Sequence, residues 1–339
     1  MYIIEGGFPK GTPEVKQDTT SSDHSRSFFI IYIYGVSASA RRSKRKETMS
    51  SQRIRVAIQG QEGCYHEIAA RQYFAGSEIE IVPCKSFADE FQKMSSDSSL
   101  LGIMAIENTI AGNLLANHEL LRQSQRLVVG EHRLHISHVL AVYPGQKLED
   151  VKEVNSHPIA LRQCEVFLES LNDVKVVEKD DTASAARDIR DRQLLGHAAI
   201  CSEYAATLYG LEILARGIET NKKNFTRFLI LRDRYEGEEV ARSKVNKASI
   251  DFSVHHKQGS LSKVLTILSF YGINLTKIQS MPIIGREWEY RFFVDLTFED
   301  YIVYRQALEA IRPFTSEFQM LGEYCESTQS HDAVAPKKI

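Results

Sequence analysis

The segment NFTRFLIL, Asn224–Leu231, sets a hydroxyl (Thr226) beside a guanidinium (Arg227), between two phenylalanines, in a run that otherwise has the composition of a strand. A guanidinium offers a carboxylate a bidentate partner whose charge is always present. A hydroxyl next to it can hydrogen-bond to an oxygen that departs or develops charge. Neighbouring side chains of a regular strand point to opposite faces, so both groups serve one ligand only if the backbone twists or bends at the pair. Further polar groups stand where strands end and helices begin: Gly60-Gln61-Glu62-Gly63, Glu107-Asn108-Thr109, Ser156-His157-Pro158 with proline in the first helical position, and Asp181-Thr182-Ala183. Each alone reads as a turn or a helix cap. Together they occupy the places where open parallel sheets bind ligands and where helix N-termini favour anions. The chemistry indicated is recognition of a small organic acid with more than one negative charge.

Other chemistries find less support. The GQEG turn lacks the full dinucleotide fingerprint and the lysine of a phosphate loop. His132, His135 and His138 are spaced by three, which on a strand sends neighbours to opposite faces, and no fourth ligand is evident, so no metal is expected. Ser202 is not in a nucleophile elbow. The formal net charge of −2 on 339 residues gives no electrostatic case for nucleic acid or a membrane surface. Five cysteines without a CxxC pair suggest free thiols in a reducing, cytoplasmic setting.

These groups need a scaffold, and the length suggests about two domains. Residues 1–52 read as an unstructured extension with Met49 as the natural start. Its apolar run Phe28–Val36 falls well short of the roughly 20 residues a bilayer requires. From Arg53 short apolar runs alternate with helical stretches, a βαβ rhythm that implies a mostly parallel sheet with helices on both faces. Leu127–Val142 is strand-rich, and a second βαβ series starts at Val151. Two such units, over 53–234, suggest two lobes with a cleft between them. A charged linker (235–246), a βαββαβ region of ferredoxin-like order (247–325) and a tail (326–339) follow.

Six stretches, in order, resemble prephenate dehydratase: GQEGCYHEIAA (60–70), AIENTIAG (105–112), HPIALRQC (157–164), DTASAA (181–186), AAICSEYAATLYGL (198–211) and NFTRF (224–228). The whole of 53–325 resembles the two-part enzyme that carries an ACT regulatory domain. The unpatterned residues before the motifs give no reason to expect a chorismate-mutase helix there, so the monofunctional enzyme is the expectation. The resemblance implies an α/β fold with a two-lobed, periplasmic-binding-protein-like catalytic domain and a ferredoxin-like ACT domain. It implies a reaction too: prephenate loses its ring hydroxyl and a carboxylate as CO2 to give phenylpyruvate, without metal or organic cofactor. Thr226 matches the family's essential threonine, donating to the leaving hydroxyl, and Arg227 holds a carboxylate. Glu107, Asn108, Thr109, Thr182, Asn224 and Phe228 contact the substrate. Where the first motif usually reads Thr-Phe-Ser, this chain has Cys64-Tyr65-His66, and His66 is the expected proton donor or carboxylate contact, against a surface or capping histidine. Ile159 replaces a usual glutamine, and Asp181 stands where serine is commoner.

In the ACT-like region Gly259-Ser260-Leu261 matches the family's Gly-Ala-Leu turn, and Asn274-Leu275 begins its following strand. The phenylalanine-binding Glu-Ser-Arg-Pro motif stands here as Gln279-Ser280-Met281-Pro282. The resemblance implies feedback by L-phenylalanine through Gly259, Ser260, Leu261, Asn274 and Leu275, and a homodimer or homotetramer. Two alternatives remain: arogenate as the substrate, which bears an amino acid side chain in place of the pyruvyl group, and a non-catalytic small-acid sensor.

Overall fold

In the computed structural model the described residues are 53–236 and 244–327; the expected extension, most of the linker and the end of the tail lie outside them. Aliphatic and β-branched runs form β1 (Ile54–Gln59), β2 (Ile79–Cys84) and β3 (Leu101–Asn108), joined by α1 (Tyr65–Tyr73) and α2 (Phe87–Ser96). β1 pairs in parallel with both β2 and β3. β4 (Gly112–Asn113), α3 (Leu115–Gln123) and β5 (Arg126–His135) follow. The chain then builds a second lobe from β6 (Val139–Val142), β7 (Glu153–Ser156), α4 (Pro158–Gln163), α5 (Glu165–Glu169), β8 (Lys175–Glu178), α6 (Thr182–Arg192), β9 (His197–Cys201), α7 (Glu203–Leu208) and β10 (Glu212–Arg216). β11 (Phe225–Asp233) returns to the first sheet.

The sheet orders are β2-β1-β3-β11-β5, with β4 beside β3, and β10-β6-β9-β7-β8. This modifies two expectations. The strand-rich segment 127–142 is divided between the two sheets, and the sheets are mixed: β11 runs antiparallel to β3 and β5, and β6 antiparallel to β9 and β10. The chain leaves the first lobe after His135 and re-enters it at Phe225, so the strands at the two crossings run against their neighbours. The crossings are tied together where Ile136 N–H donates to the Asn224 carbonyl at 2.8 Å. Alanines of α1, α6 and α7 pack with Val56, Ile58, Phe228 and Ile230 in a core that spans both lobes. Gly60 and Gly63, with φ of +109° and +91°, form the turn between β1 and α1, a conformation that disfavours any other residue.

The C-terminal region comprises β12 (Lys247–Ser253), α8 (Ser260–Phe270), β13 (Asn274–Pro282), β14 (Tyr290–Thr297), α9 (Tyr301–Ile311) and β15 (Ser316–Tyr324). Its antiparallel sheet has the order β13-β14-β12-β15, which with the βαββαβ sequence is the ferredoxin-like arrangement. The helices cover one face, over Ile250, Phe252, Val264, Leu268 and Leu308. On the other face Phe293, Leu321 and Tyr324 join Met104, Ile106, Leu121, Leu229 and Leu231 of the first lobe in a common core. Approach is close enough there that a Cβ on Gly322 would run into the Val128 carbonyl.

β11 therefore has two working faces. Thr226, Phe228 and Ile230 alternate with Arg227, Leu229 and Leu231. The first set includes residues that face the interlobe space, and the second lies against the C-terminal sheet.

Candidate active site

A cavity of about 190 Å3 lies between the lobes. β11 supplies Thr226 and Phe228, the end of β3 supplies Asn108, and the start of α1 supplies Tyr65 and His66. From the second lobe come His157, the residue capping α4, and Gln163 at its end, with Asp181 and Thr182 at the start of α6. His138 lines it from the first crossing. The lining set contains no lysine or arginine among the described residues.

A hydrogen-bond network fixes Thr226. Asn108 Oδ1 accepts from the backbone N–H groups of Ile110 and Ala111, at 2.9 and 2.8 Å, which orients the amide. Its Nδ2 then donates to Thr226 Oγ1 at 2.9 Å and to Asn224 Oδ1 at 2.8 Å. With a lone pair of Oγ1 occupied, the threonine's own proton is free to be donated into the cavity. Asn224, fully buried, passes the order on: its Nδ2 donates to Gln163 Oε1 at 3.0 Å, and that oxygen lies 3.0 Å from His138 Nε2. His138 Nδ1 lies 2.8 Å from the Tyr65 hydroxyl. Burial lowers the pKa of His138 and raises that of Tyr65, so this chain is neutral near physiological pH, and burial lowers the pKa of His157 across the cavity as well. Asp181 behaves differently. Burial raises its pKa against the pull of nearby backbone N–H groups, and its Oδ2 is enclosed without a hydrogen-bond partner.

Several expected site residues lie elsewhere. The guanidinium of Arg227 turns away from the cavity, on the face opposite Thr226, as a pleated strand requires. There Nε donates to Glu131 Oε2 at 2.7 Å, Nη1 to Asp295 Oδ2 at 2.6 Å and to Glu107 Oε1 at 3.0 Å, and Nη2 to the Tyr324 hydroxyl at 3.1 Å. This corrects the assignment of Arg227 as a carboxylate clamp. Glu107 goes with it, held by Arg227 and by Lys277 at 2.8 Å, and is likewise not a cavity group. Thr109 is exposed, its hydroxyl donating to the Lys223 carbonyl and accepting from Phe225 N–H, both at 2.9 Å, so it fastens β11 to the end of β3. Asn224 acts behind the lining, through Asn108 and Gln163.

His66 does face the cavity, but burial pushes its pKa down to about 3. It packs edge-on against Phe87 and Phe228, and its Nε2 accepts from Ala105 N–H at 3.4 Å. A neutral imidazole used as an acceptor has no acidic proton to give near neutrality, which corrects its expected role as proton donor. His66→Gln is therefore expected to leave the pH profile of turnover around neutrality in place; a displaced limb in rate measurements across pH would return His66 to the acid role.

The sequence assigns no substrate role to Tyr65, Gln163 or His138 and marks His157 only as part of a helix-opening junction, although each but His138 lies in a stretch that carries the resemblance. Their pairings join residues as much as 73 positions apart, which no local pattern marks. His132, His135 and His138 go to separate partners: Gln72, the Lys222 carbonyl, and Gln163 with Tyr65.

A second cavity, of about 320 Å3, lies in the C-terminal region. Gly259, Ser260 and Leu261 line it at the start of α8, with Trp288, Tyr290 and His255 opposite. Asn274 and Leu275 are not in its lining. Asn274 Nδ2 instead donates to Thr297 Oγ1 at 3.2 Å across the first rung of β13 and β14.

The family model described as prephenate dehydratase matches residues 56–236. Arogenate dehydratase/prephenate dehydratase 2, chloroplastic, of Arabidopsis thaliana is 36% identical over 284 residues, covering 80% of this chain and 73% of the relative. A solved structure described as GqqA, a novel type of quorum quenching acylase, is 30% identical with a TM-score of 0.72, covering 81% of this chain and 98% of that one. Prephenate dehydratase of Arthrobacter aurescens, solved in complex with L-Phe, shares the fold at 24% identity and a TM-score of 0.74, covering 84% of this chain and 93% of that one.

Proposed function

The chain belongs to the prephenate dehydratase family, and from that premise we propose that the interlobe cavity carries out the decarboxylating dehydration of prephenate to phenylpyruvate, a step of phenylalanine biosynthesis. The ring carboxylate leaves as CO2, its bonding electrons move through the diene, and the C4–hydroxyl bond breaks with that oxygen taking the pair. Aromatisation drives the step, so the protein's share is positioning and donation to the departing oxygen. One observation carries the assignment of Thr226: Asn108 donates to its Oγ1, which leaves the threonine hydroxyl as a donor directed by its surroundings. A threonine hydroxyl is too weak an acid to supply the proton itself, and solvent completes the proton balance. Phe228 and His66 give the ring an apolar wall, and Thr182 offers a hydroxyl at the start of α6.

Arogenate is a second reading that the cavity specifically favours. Its lining lacks a cationic side chain among the described residues and includes Asp180 and Asp181. An ammonium group in place of the neutral pyruvyl ketone, which offsets one of the substrate's two carboxylates, suits such a surface better. Acyl transfer, the chemistry in the name of the GqqA relative, finds less here: burial pushes the Cys64 thiol up, and Ser202 Oγ is engaged with Gly63 O and Ala205 N–H.

The C-terminal region is, in this proposal, an ACT domain that senses L-phenylalanine. Support comes from the cavity between the Gly259 turn and Trp288, which is large enough for an amino acid. Assembly as a homodimer or homotetramer and a cytoplasmic location belong to the same proposal. No helix among the described residues is long and apolar enough to cross a membrane.

Purified protein incubated at mildly alkaline pH with prephenate and, separately, with arogenate, with and without L-phenylalanine, tests the reaction, its substrate and its regulation. Formation of phenylpyruvate or phenylalanine is expected, slowed by added phenylalanine in the prephenate reaction. Failure on both acids would overturn the enzymatic reading.

A further inference from the structure

The strand that presents Thr226 to the cavity is fastened on its other face to the C-terminal domain by six charged side chains, and this arrangement gives Arg227 a role that a substrate ligand would not have. From the catalytic side come Arg227, Glu107 and Glu131, one cation and two anions. From the C-terminal side come Asp295, Lys247 and Lys277, one anion and two cations. Arg227 touches Glu131, Glu107 and Asp295 at 2.7, 3.0 and 2.6 Å; Lys277 reaches Glu107 at 2.8 Å, and Lys247 reaches Glu131 at 3.0 Å. Ser249 Oγ donates to the second oxygen of Asp295 at 2.5 Å. All but Glu107 have side chains less than a tenth exposed, so the charges act in a medium that screens them little.

Two members of the cluster are chain neighbours of the catalytic pair. Arg227 follows Thr226, and Glu107 precedes Asn108, which donates to Thr226 Oγ1. β11 and β3 face each other here with Thr226 opposite Asn108 and Arg227 opposite Glu107, and the register slips immediately after, between Arg227 and Phe228. The two rungs of the pair are thus held from below by the C-terminal domain. Lys277 lies on β13, the strand that Asn274 opens and whose Gln279 Oε1 accepts from Asn113 Nδ2 at 2.5 Å. A shift of β13 would pull on Glu107 directly.

We propose that Arg227 and Glu107 are positioning residues, through which the charge cluster lets the C-terminal domain set the placement of the Thr226–Asn108 pair. This rests on the dehydratase reading given above. It explains why an arginine follows the catalytic threonine in a strand where an aliphatic residue would pack more simply, and it gives the C-terminal domain a route to the reaction that needs no contact with substrate.

The test uses the full chain with Lys277→Met, Lys277→Arg and Asp295→Asn, none of which lines the interlobe cavity. Lys277→Met is expected to lower kcat on the accepted acid by about tenfold while KM stays within about threefold, as misplacement of a transition-state donor should. Lys277→Arg should restore kcat to within about twofold, even where the melting temperatures of the two variants agree. Asp295→Asn should follow Lys277→Met; if it fails to fold, the Lys277 pair decides alone. Wild-type kcat in Lys277→Met would overturn the proposal, as would Lys277→Arg being equally slow, since that outcome marks a packing defect without a charge requirement. Wild-type protein inactive on both acids would instead overturn the dehydratase reading, so the two failures are distinct.

Discussion

Thr226→Ala is expected to lower kcat by about 10²–10³-fold, with KM changed no more than a few-fold, because the hydroxyl is needed where negative charge develops and little before. Asn108 already donates to Oγ1 at 2.9 Å, so in the ground state the threonine is satisfied as an acceptor and keeps its proton for the cavity. The half-buried side chain sits beside fully buried Phe228, and losing its hydroxyl and methyl group leaves a small gap that costs little stability. Thr226→Val keeps the shape and loses the donor, so it should be as slow as alanine. Thr226→Ser keeps the donor and should retain activity within about tenfold. Steady-state rates, with calorimetry of substrate binding to the slow variants, would check the split. A Thr226→Val enzyme with near-wild-type kcat would remove the hydroxyl from the mechanism and move attention to Tyr65 and His157.

The sequence made this threonine visible, and the same period-two rule made visible that its neighbour would point elsewhere. Where Arg227 goes was not legible. Its partner Asp295 is 68 residues away in a region of separate fold, and nothing local marks an arginine that is paired inside the protein from one that waits for a ligand. The fate of Glu107 follows from the same contact. The alternation of strands and helices was legible from apolar runs and junction residues, and so was the ferredoxin-like order. The crossing between lobes was not, because strand-forming residues stand on both sides of Ile136 within Leu127–Val142, and Ser137-His138 alone give no turn signal that would show a strand changing sheets there. His66 illustrates another limit. Its type promised titration near neutrality, but its pKa is set by enclosure against Phe87 and Phe228, from two other elements. Gln163 and Asn224 lie within the matching stretches, and Asn224 was expected at the substrate, yet their importance lies in closing one hydrogen-bond chain across both lobes.

Arg227→Met is expected to destabilise the protein by about 3–5 kcal/mol, the usual consequence of removing one partner from a buried ion pair. Burial works against the charge on Arg227, but Asp295, Tyr324, Glu131 and Glu107 outweigh it and hold the guanidinium protonated. The dependence is mutual. Burial alone would raise the pKa values of Asp295, Glu131 and Glu107, and the Arg227 charge is the leading influence that brings each below its ordinary value. Methionine fills a similar volume, so the penalty comes from three carboxylates left with two lysines. Removing the excess anion as well should relieve it: Arg227→Met combined with Asp295→Asn is expected to be more stable than Arg227→Met alone, and the double-mutant cycle should show a coupling of at least about 1 kcal/mol. Denaturant unfolding of the four proteins measures this directly. A substrate ligand would behave otherwise, with unchanged stability, a large rise in KM, and no recovery from a change at Asp295. That result would place the guanidinium back in the cavity and require β11 to twist at Thr226 when substrate binds.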